Sequence, residues 1–479
     1  MSPNIRLYLA VDQGGHGSRA SLFDANGTLL NRASIPIRTQ YPAPEHIEHD
    51  PEELVASVQT AIAEVLRSAA SLPVAAAGLA TQRSSVVCWD KISGAALSPI
   101  LSWQDRRTAE WMRQFQNHST DILQRTGLPL SPHYGAGKLR WCLDHLPAVQ
   151  NAWRERRLAC GPLASYLAYR LTAERTLSAD PANASRTLLW NLDSGDWDPK
   201  LADLFGVPID ALPPSVATRH AWGHLNAGKQ GIPLTVVTGD QSAALFAAGE
   251  PAAGGVMINL GTGAFLQQAL PRRPPPSRLL ASLAYQDQAR RIYALEGTVN
   301  GAGSALAWIA SQIGMEETAI IRRLPDWLKE ITGPPLFLNG VSGLGTPYLT
   351  PLFASRFVGD GSPAEKCVAV IESIVFLLQA NLEEMARTIG PATRLIVSGG
   401  LSQLDGLCQH IADLSGLPLL RPSDHEASVL GLMRLLIGAA QATFVEPEGI
   451  SFDPRPNPNL AVRYQNWRKE LDVALAKPA

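Results

Sequence analysis

One phrase is written twice in this chain: an apolar strand, a glycine-rich turn and a second apolar strand, first over residues 7–23 and again over 256–266. In the first copy Leu7-Tyr8-Leu9-Ala10-Val11 runs into Asp12-Gln13-Gly14-Gly15-His16-Gly17-Ser18-Arg19 and leaves through Ala20-Ser21-Leu22-Phe23. In the second, Met257-Ile258-Asn259-Leu260 enters Gly261-Thr262-Gly263 and exits through Ala264-Phe265-Leu266. Glycine admits positive φ and lets the backbone approach a ligand, so successive N–H groups can point at a phosphate. Two such hairpins in two halves predict a nucleotide clamped between duplicated domains. The length fits that reading, because 479 residues exceed the roughly 250–300 at which a single core stops growing. The expected domains are 1–249 and 250–479, with Gly249-Glu250-Pro251-Ala252-Ala253-Gly254-Gly255 as the hinge between them.

The formal net charge of −2 offers no basic field for nucleic acid, so any phosphate must be held locally. The five cysteines form no CxxC and have no histidine at metal-ligand spacing, which predicts free thiols in a reducing compartment and no structural zinc. Asp12 interrupts the N-terminal apolar stretch too early for a signal peptide. No run approaches the roughly 20 apolar residues of a membrane span. A cytoplasmic location is expected.

Asn26-Gly27 between two apolar runs is a hairpin turn and continues the first phrase into a third antiparallel strand, 29–37. Asp50-Pro51-Glu52-Glu53 reads as N-cap, N1 proline and acidic first turn of a helix running to about Ala69. Apolar runs at 75–80 and 86–89 read as strands, the first ending at Thr81-Gln82-Arg83. Helical and loop signals alternate over 109–212, an insertion suited to building a substrate wall. A strand at 233–238 ends at Gly239-Asp240-Gln241, and 242–248 has helical composition. After the Gly261 hairpin come a strand at 291–295, a helix from about Ser304 and a long helix near 363–388. A strand at 395–397 then enters Ser398-Gly399-Gly400, followed by helices from about Gln403 and over 427–440. Strands followed by helices, twice over, predict an α/β protein. Arg272 to Pro276 reads as an exposed loop.

Asp240 follows an apolar strand and a glycine, where a carboxylate is held at a sheet edge facing a crevice. A hydroxyl attacking phosphorus must lose its proton, and such a carboxylate can take it. The alternative is that Asp240 only caps the next helix. Asp12 ends its strand in the same manner and suits Mg²⁺ beside a triphosphate, or else an Asx-turn stabilising the hairpin. Gly261-Thr262-Gly263 taken alone is as readily an ordinary hairpin turn. Gly399-Gly400 precedes a helix whose N-terminus could approach a ribose or phosphate, although many strand-to-helix turns look alike. Arg83 and Trp103-Gln104-Asp105-Arg106-Arg107 supply donors and an aromatic face suited to a polyhydroxylated ligand. For Arg106 and Arg107 a surface salt-bridge cluster is the competing reading.

Taken together these segments resemble the FGGY carbohydrate kinases, and among them the glycerol kinase group. The resemblance spans nearly the whole chain. It is carried by Asp12-Gln13-Gly14 with Ser18-Arg19, Thr81-Gln82-Arg83, Trp103 to Thr108, Asn183 to Leu188, Gly239-Asp240-Gln241, Gly261-Thr262-Gly263, Leu295-Glu296-Gly297, Gly343 to Tyr348 and Ser398-Gly399-Gly400. It implies the actin-like ATPase (ribonuclease H-like) fold, two duplicated domains with ATP and Mg²⁺ in the cleft. It implies Asp240 as general base, with Arg83, Trp103, Gln241 and Phe265 around a polyol or sugar acceptor. Gly261 and Thr262 would face the β- and γ-phosphates opposite Gly14, Gly15 and Arg19, with Asp12 at the metal. Gly303, Gly399, Gly400 and Asp405 complete the implied nucleotide site, Asp405 standing where the family often has Asn. A homodimer and a homotetramer both stay open.

The chain also departs from the pattern. Where glycerol kinases carry Thr-Thr-Ser after Asp-Gln-Gly, it has Gly15-His16-Gly17, so two or three hydroxyl contacts are missing and backbone N–H groups could replace them. His16 either adds charge near the γ-phosphate or is a loop histidine without a role. The acceptor-binding Glu after Arg83 is Ser84, and the usual Tyr after Pro132 is His133. Buried hydroxyls left unpaired cost roughly 1–3 kcal/mol each, so these changes are expected to relax specificity or to redirect it from glycerol toward a longer polyol or a ketose. The expected activity is ATP-dependent phosphorylation of a primary hydroxyl. The altered first turn motivates one alternative, a catalytically weak sugar- or nucleotide-binding regulator on the same fold.

Overall fold

The computed structural model describes residues 6–67, 73–227, 231–423, 426–438 and 448–476. Its first sheet is built from β1 (Leu7–Gly14), β2 (Gly17–Phe23), β3 (Leu29–Pro36), β4 (Val74–Thr81) and β5 (Ile232–Gly239) in the order β3-β2-β1-β4-β5, with a short edge strand, His224–Leu225, beyond β5. The second sheet contains β6 (Gly255–Leu260), β7 (Ala264–Leu270), β8 (Leu280–Gln286), β9 (Arg291–Val299), β10 (Arg394–Ser398), β11 (Leu419–Pro422) and β12 (Gly449–Phe452). Its order is β8-β9-β7-β6-β10-β11-β12. Five strands correspond: β3-β2-β1-β4-β5 matches β9-β7-β6-β10-β11. In each set the first three strands are antiparallel and the next two run parallel to the first. The repeated phrase is thus the opening of a repeated sheet, in the α/β architecture that the sequence predicts.

The register explains why polar residues gather at one edge. Asp12 lies opposite Ala80, Gln13 opposite Thr81, and Gly239 also opposite Thr81, so the turns leaving β1, β4 and β5 emerge side by side. In the second sheet Asn259 pairs with Ser398, which brings the Gly261 turn beside Gly399. These are the carboxyl ends of parallel strands, where α/β sheets open a ligand crevice. β1 is buried from Leu7 through Gln13 because helices cover both faces of the sheet.

Local chemistry fixes the helix starts. Asp50 Oδ1 accepts from the N–H groups of Glu52 (2.8 Å) and Glu53 (2.9 Å), opening the helix Pro51–Leu66. Its expected end near Ala69 lies outside the described residues. The long helix Pro363–Ile389 opens on a capping box between Ser362 and Glu365. Two starts and ends differ from expectation. The helix after Asp240 covers only Asp240–Ala244 before breaking into turns, and a 3-10 turn, Gly400–Gln403, precedes the helix Asp405–Ser415. The helix Pro458–Leu475, which closes over the second core with Trp467 fully buried, has no counterpart in the sequence reading.

The helix Ala427–Ile437 crosses back to the first sheet. Leu432 packs where a Cβ on Gly78 would stand, 2.8 Å from its Cδ1, and Gly431 lies against the Ala243 carbonyl so closely that any Cβ would collide with it. This helix therefore sets the height of the Asp240 turn. Gly431→Ala is expected to lower stability by about 1–3 kcal/mol, the usual cost of overpacking, read as a lower midpoint in urea unfolding.

The segment over 109–212 packs against the edge strand β8 of the second sheet. Ala281 N–H donates to Gly127 O at 2.8 Å, and Ser185 Oγ and Leu283 bond to one another through the Leu283 N–H at 3.2 Å. Ala184, Trp190, Leu192, Ala281, Leu283 and Tyr293 form a small apolar cluster there. The two sheets are joined by packing as well as by the chain at 249–255. Among the described residues no helix is long and apolar enough to cross a membrane, no group of three or more metal-ligating side chains is found, and all five cysteines are buried free thiols.

Candidate active site

Asp240 is the first residue of the short helix after β5, behind the N-cap Gly239, and its Oδ1 accepts the N–H of its neighbour Gln241, at 2.7 Å. Through Oδ1 the side chain thus braces the first turn of the helix, as the capping alternative expects, while it also faces Arg83. Arg83 Nε stands 4.0 Å from the same oxygen. Burial raises the Asp240 pKa and the nearby Arg83 charge lowers it, and burial prevails.

Asp12 is 5% exposed at its side chain. Oδ2 accepts from Arg19 Nη1 at 3.3 Å, while Oδ1 is buried without a hydrogen-bond partner, so no Asx-turn forms. Burial and then the Asp240 charge push its pKa up to about 7, against the pull of Arg19. A carboxyl raised by burial and by the neighbouring Asp240 charge, with an unpaired buried oxygen, fits a divalent cation, which would satisfy that oxygen and relieve the repulsion.

A cavity of about 130 Å³ is lined by Asp12, Arg19 and Gln241 from the first half of the chain and by Asn259, Phe265 and Ser398 from the second, among others. The Gly261-Thr262-Gly263 turn is braced from behind: Gly303 N–H donates to Gly261 O at 3.0 Å and Ser304 N–H to Thr262 O at 3.0 Å. Gly303 could not be larger, since its Cβ would stand 2.9 Å from Gly261 O. Gly399 takes φ +93°, and a Cβ there would stand 2.6 Å from Leu260 O, a geometry closed to other residues, whereas the space over Gly400 is open. Gly399→Ala is expected to cost more than the roughly 1 kcal/mol of an ordinary Gly-to-Ala strain and to weaken Mg-ADP binding, measured by calorimetry. Asp405 begins the following helix and pairs with Arg421 Nη2 at 2.8 Å.

On the acceptor side, Trp103 and His133 stand ring to ring, 5.7 Å between centroids, and a Cβ on Gly15 would sit 3.8 Å from Trp103 Nε1. The first glycine turn thus borders the indole. Gly14 lies at the mouth of the same turn, paired with Gly17. His16 is exposed at the tip. Ser84 is buried at φ +64°, uncommon for a non-glycine residue, and its Oγ has no partner. The fully buried Lys138 Nζ holds this pocket together by donating to the carbonyls of Ser84 (3.1 Å), Ser102 (2.7 Å) and His133 (2.7 Å). Burial, then Arg106, Lys138, Arg186 and Arg83, push the His133 pKa well below its ordinary value, so its imidazole is neutral; with Nδ1 accepting from Arg106, Nε2–H is left to donate to a hydroxyl.

The surface-cluster reading of Arg106 and Arg107 is corrected. Arg107 is fully buried at its side chain, bonded to Asp105 (2.8 Å) and Glu48 (2.6 Å) with its guanidinium 4.3 Å from the Trp141 ring centroid. Arg106 bonds to Trp103 O and His133 Nδ1, at 3.3 and 3.4 Å. Both arginines therefore shape the pocket wall. The sequence reading assigned no role to Lys138, Arg186 or Glu296. The available signal was a charged residue within an otherwise apolar strand or helix, which requires a partner.

The FGGY carbohydrate kinase N-terminal domain matches residues 7–247 and the FGGY C-terminal domain residues 256–440. A glycerol kinase from Alkalilimnicola ehrlichii is 36% identical over 490 aligned residues, covering 98% of both chains. One from Trichlorobacter lovleyi is 36% identical over 440 residues, 88% of each. Among solved structures, Plasmodium falciparum glycerol kinase with ADP superposes at a TM-score of 0.90 with 21% identity, covering 99% of both chains. A xylulose kinase from Brucella ovis superposes at 0.86 with 23% identity, covering 98% of this chain and 99% of that one. The fold is the one these kinases share.

Proposed function

The chain belongs to the FGGY family of carbohydrate kinases, and from that premise we propose that it transfers the γ-phosphoryl group of ATP to a primary hydroxyl of a small polyol or ketose. The observation that carries the reading is the Asp240 carboxylate at the end of β5, near Arg83 and raised in pKa by burial. As the acceptor oxygen bonds to phosphorus and the bond to ADP breaks, Asp240 takes the hydroxyl proton. A raised pKa makes it a better proton acceptor than a solvated carboxylate. Arg83, Trp103, Gln241 and Phe265 orient the acceptor, and the unpaired Ser84 Oγ with neutral His133 meets its further hydroxyls.

The glycine turns at 14–15 and 261–262 with Arg19 hold the phosphates, and Gly303, Gly399, Gly400 and Asp405 complete the nucleotide site. Mg²⁺, held by Asp12, would neutralise charge on the triphosphate. The domains divide at 249/250, close on the cleft to exclude water, and assemble in the cytoplasm as a homodimer or homotetramer. An ADP-release screen with Mg-ATP across glycerol, tetritols, pentitols and ketopentoses tests the reading. Acceptor-dependent release favouring the longer acceptors supports it. Thermal shifts with acceptors but no release would favour the regulator instead.

A further inference from the structure

A buried charge cluster joins the two halves next to the acceptor pocket. Glu296, in the middle of β9 and 1% exposed, receives both terminal nitrogens of Arg83, each at 2.9 Å. Arg186 Nη1 stands 3.3 Å from it, and Ser282 Oγ on β8 donates to it. Glu296 and Ser282 belong to the second sheet. Arg83 and Arg186 come from the first half of the chain. Arg83 is left with Nε to face Asp240, and its aliphatic stem lies so close to Gly239 that a Cβ there would stand 2.5 Å from Arg83 Cγ.

A buried ion cluster of this kind is weak evidence for stability, since apolar residues of similar volume often serve as well. Its placement is informative. β7 leaves the Gly261 turn and pairs with β9 along its length, Leu266 against Gly297 and Gln267 against Glu296. Any displacement of that turn by a nucleotide therefore carries Glu296 with it. Arg186, whose Nε and Nη1 are buried without hydrogen-bond partners, lies 5.4 Å from the Tyr134 ring centroid at the pocket wall.

We infer that Glu296 is a positioning residue through which the nucleotide half sets the orientation of Arg83, so that the acceptor pocket is completed from the opposite domain. This rests on the kinase reading for its purpose, whereas hydrogen exchange tests it independently of that reading. Hydrogen exchange is followed in the full chain with Mg-ADP as probe, in wild type, Glu296→Gln and the milder Ser282→Ala. In wild type, Mg-ADP slows exchange at 259–263 and also at 81–86, the latter by about 5-fold or more, the lower range of site-to-site coupling. In both variants 259–263 still responds and 81–86 does not. Equal slowing of 81–86 in wild type and variants overturns the inference. If wild type shows no response to Mg-ADP at 259–263, the kinase reading fails instead. The inference is then decided without nucleotide: faster exchange at 81–86 in both variants supports it and unchanged exchange overturns it. In ADP release with glycerol, xylitol and D-xylulose, Ser282→Ala keeps the KM for ATP within about twofold while kcat/KM for the acceptor falls about tenfold, a split that general destabilisation does not produce. A change confined to the KM for ATP contradicts it.

Discussion

Asp240→Asn is expected to fold like wild type and to lose 10² to 10⁴ in kcat, the usual worth of a positioned base, or about 2.7–5.4 kcal/mol of transition-state stabilisation. The amide keeps the shape of the side chain and can still accept the Gln241 N–H, so the turn at the end of β5 has no reason to move. What it loses is the lone pair that takes the acceptor proton. Because burial lifts the Asp240 pKa above its ordinary value, the acid limb of wild-type activity should lie above the usual carboxylate range. Steady-state ADP release with a fixed acceptor, together with a thermal melt, checks both parts. Full turnover by a folded Asp240→Asn would remove this residue from the mechanism.

Asp12→Asn should act with opposite signs on activity and stability. The buried, unpaired Oδ1 is the oxygen assigned to Mg²⁺, so the variant should need at least about tenfold more Mg²⁺ for half-maximal activity, the usual range for a lost metal-site contact. The folded-state pKa of Asp12 is raised to about 7, above its ordinary 3.8. The folded protein therefore holds the proton more tightly than the unfolded chain, and without metal it loses stability as pH rises from about 4 to 7. Asn carries no charge and escapes this loss, so Asp12→Asn should melt above wild type at pH 8 in EDTA. The same pKa makes protons compete with the cation, so wild-type Mg²⁺ affinity should rise with pH and level off above about 7. Magnesium titrations at pH 6, 7 and 8 measure this directly.

Local chemistry made much of this protein legible. Asn26-Gly27, the Asp50 cap and the two glycine turns each act within a few residues, and the elements they delimit recur in the structure, the strands at the glycine turns running up to four residues beyond their apolar runs. The convergence of Asp12, Arg83 and Asp240 followed from polar residues ending apolar strands, which the parallel register of β1, β4 and β5 brings to one edge. Long-range pairing was not legible. Arg83 and Glu296 are separated by 213 residues, and nothing in either segment names the other. The helix Ala427–Ile437 shows its apolar composition but not the sheet it covers, which Gly431 and Gly78 decide through close contact with Ala243 and Leu432. Arg107 looked like a solvated charge because its partners Glu48 and Asp105 and its cover, Trp141, come together only in the fold.

The central claim is phosphoryl transfer to a carbon-bound primary hydroxyl with Asp240 as base. It is tested most directly by ³¹P NMR of wild type and Asp240→Asn incubated with Mg-ATP and a pentitol or ketopentose. The account predicts that wild type converts the γ-phosphate resonance into a phosphomonoester coupled to a CH₂ group, and that the variant forms almost none in the same time. Release of inorganic phosphate alone by wild type, or equal phosphomonoester from both proteins, would contradict it.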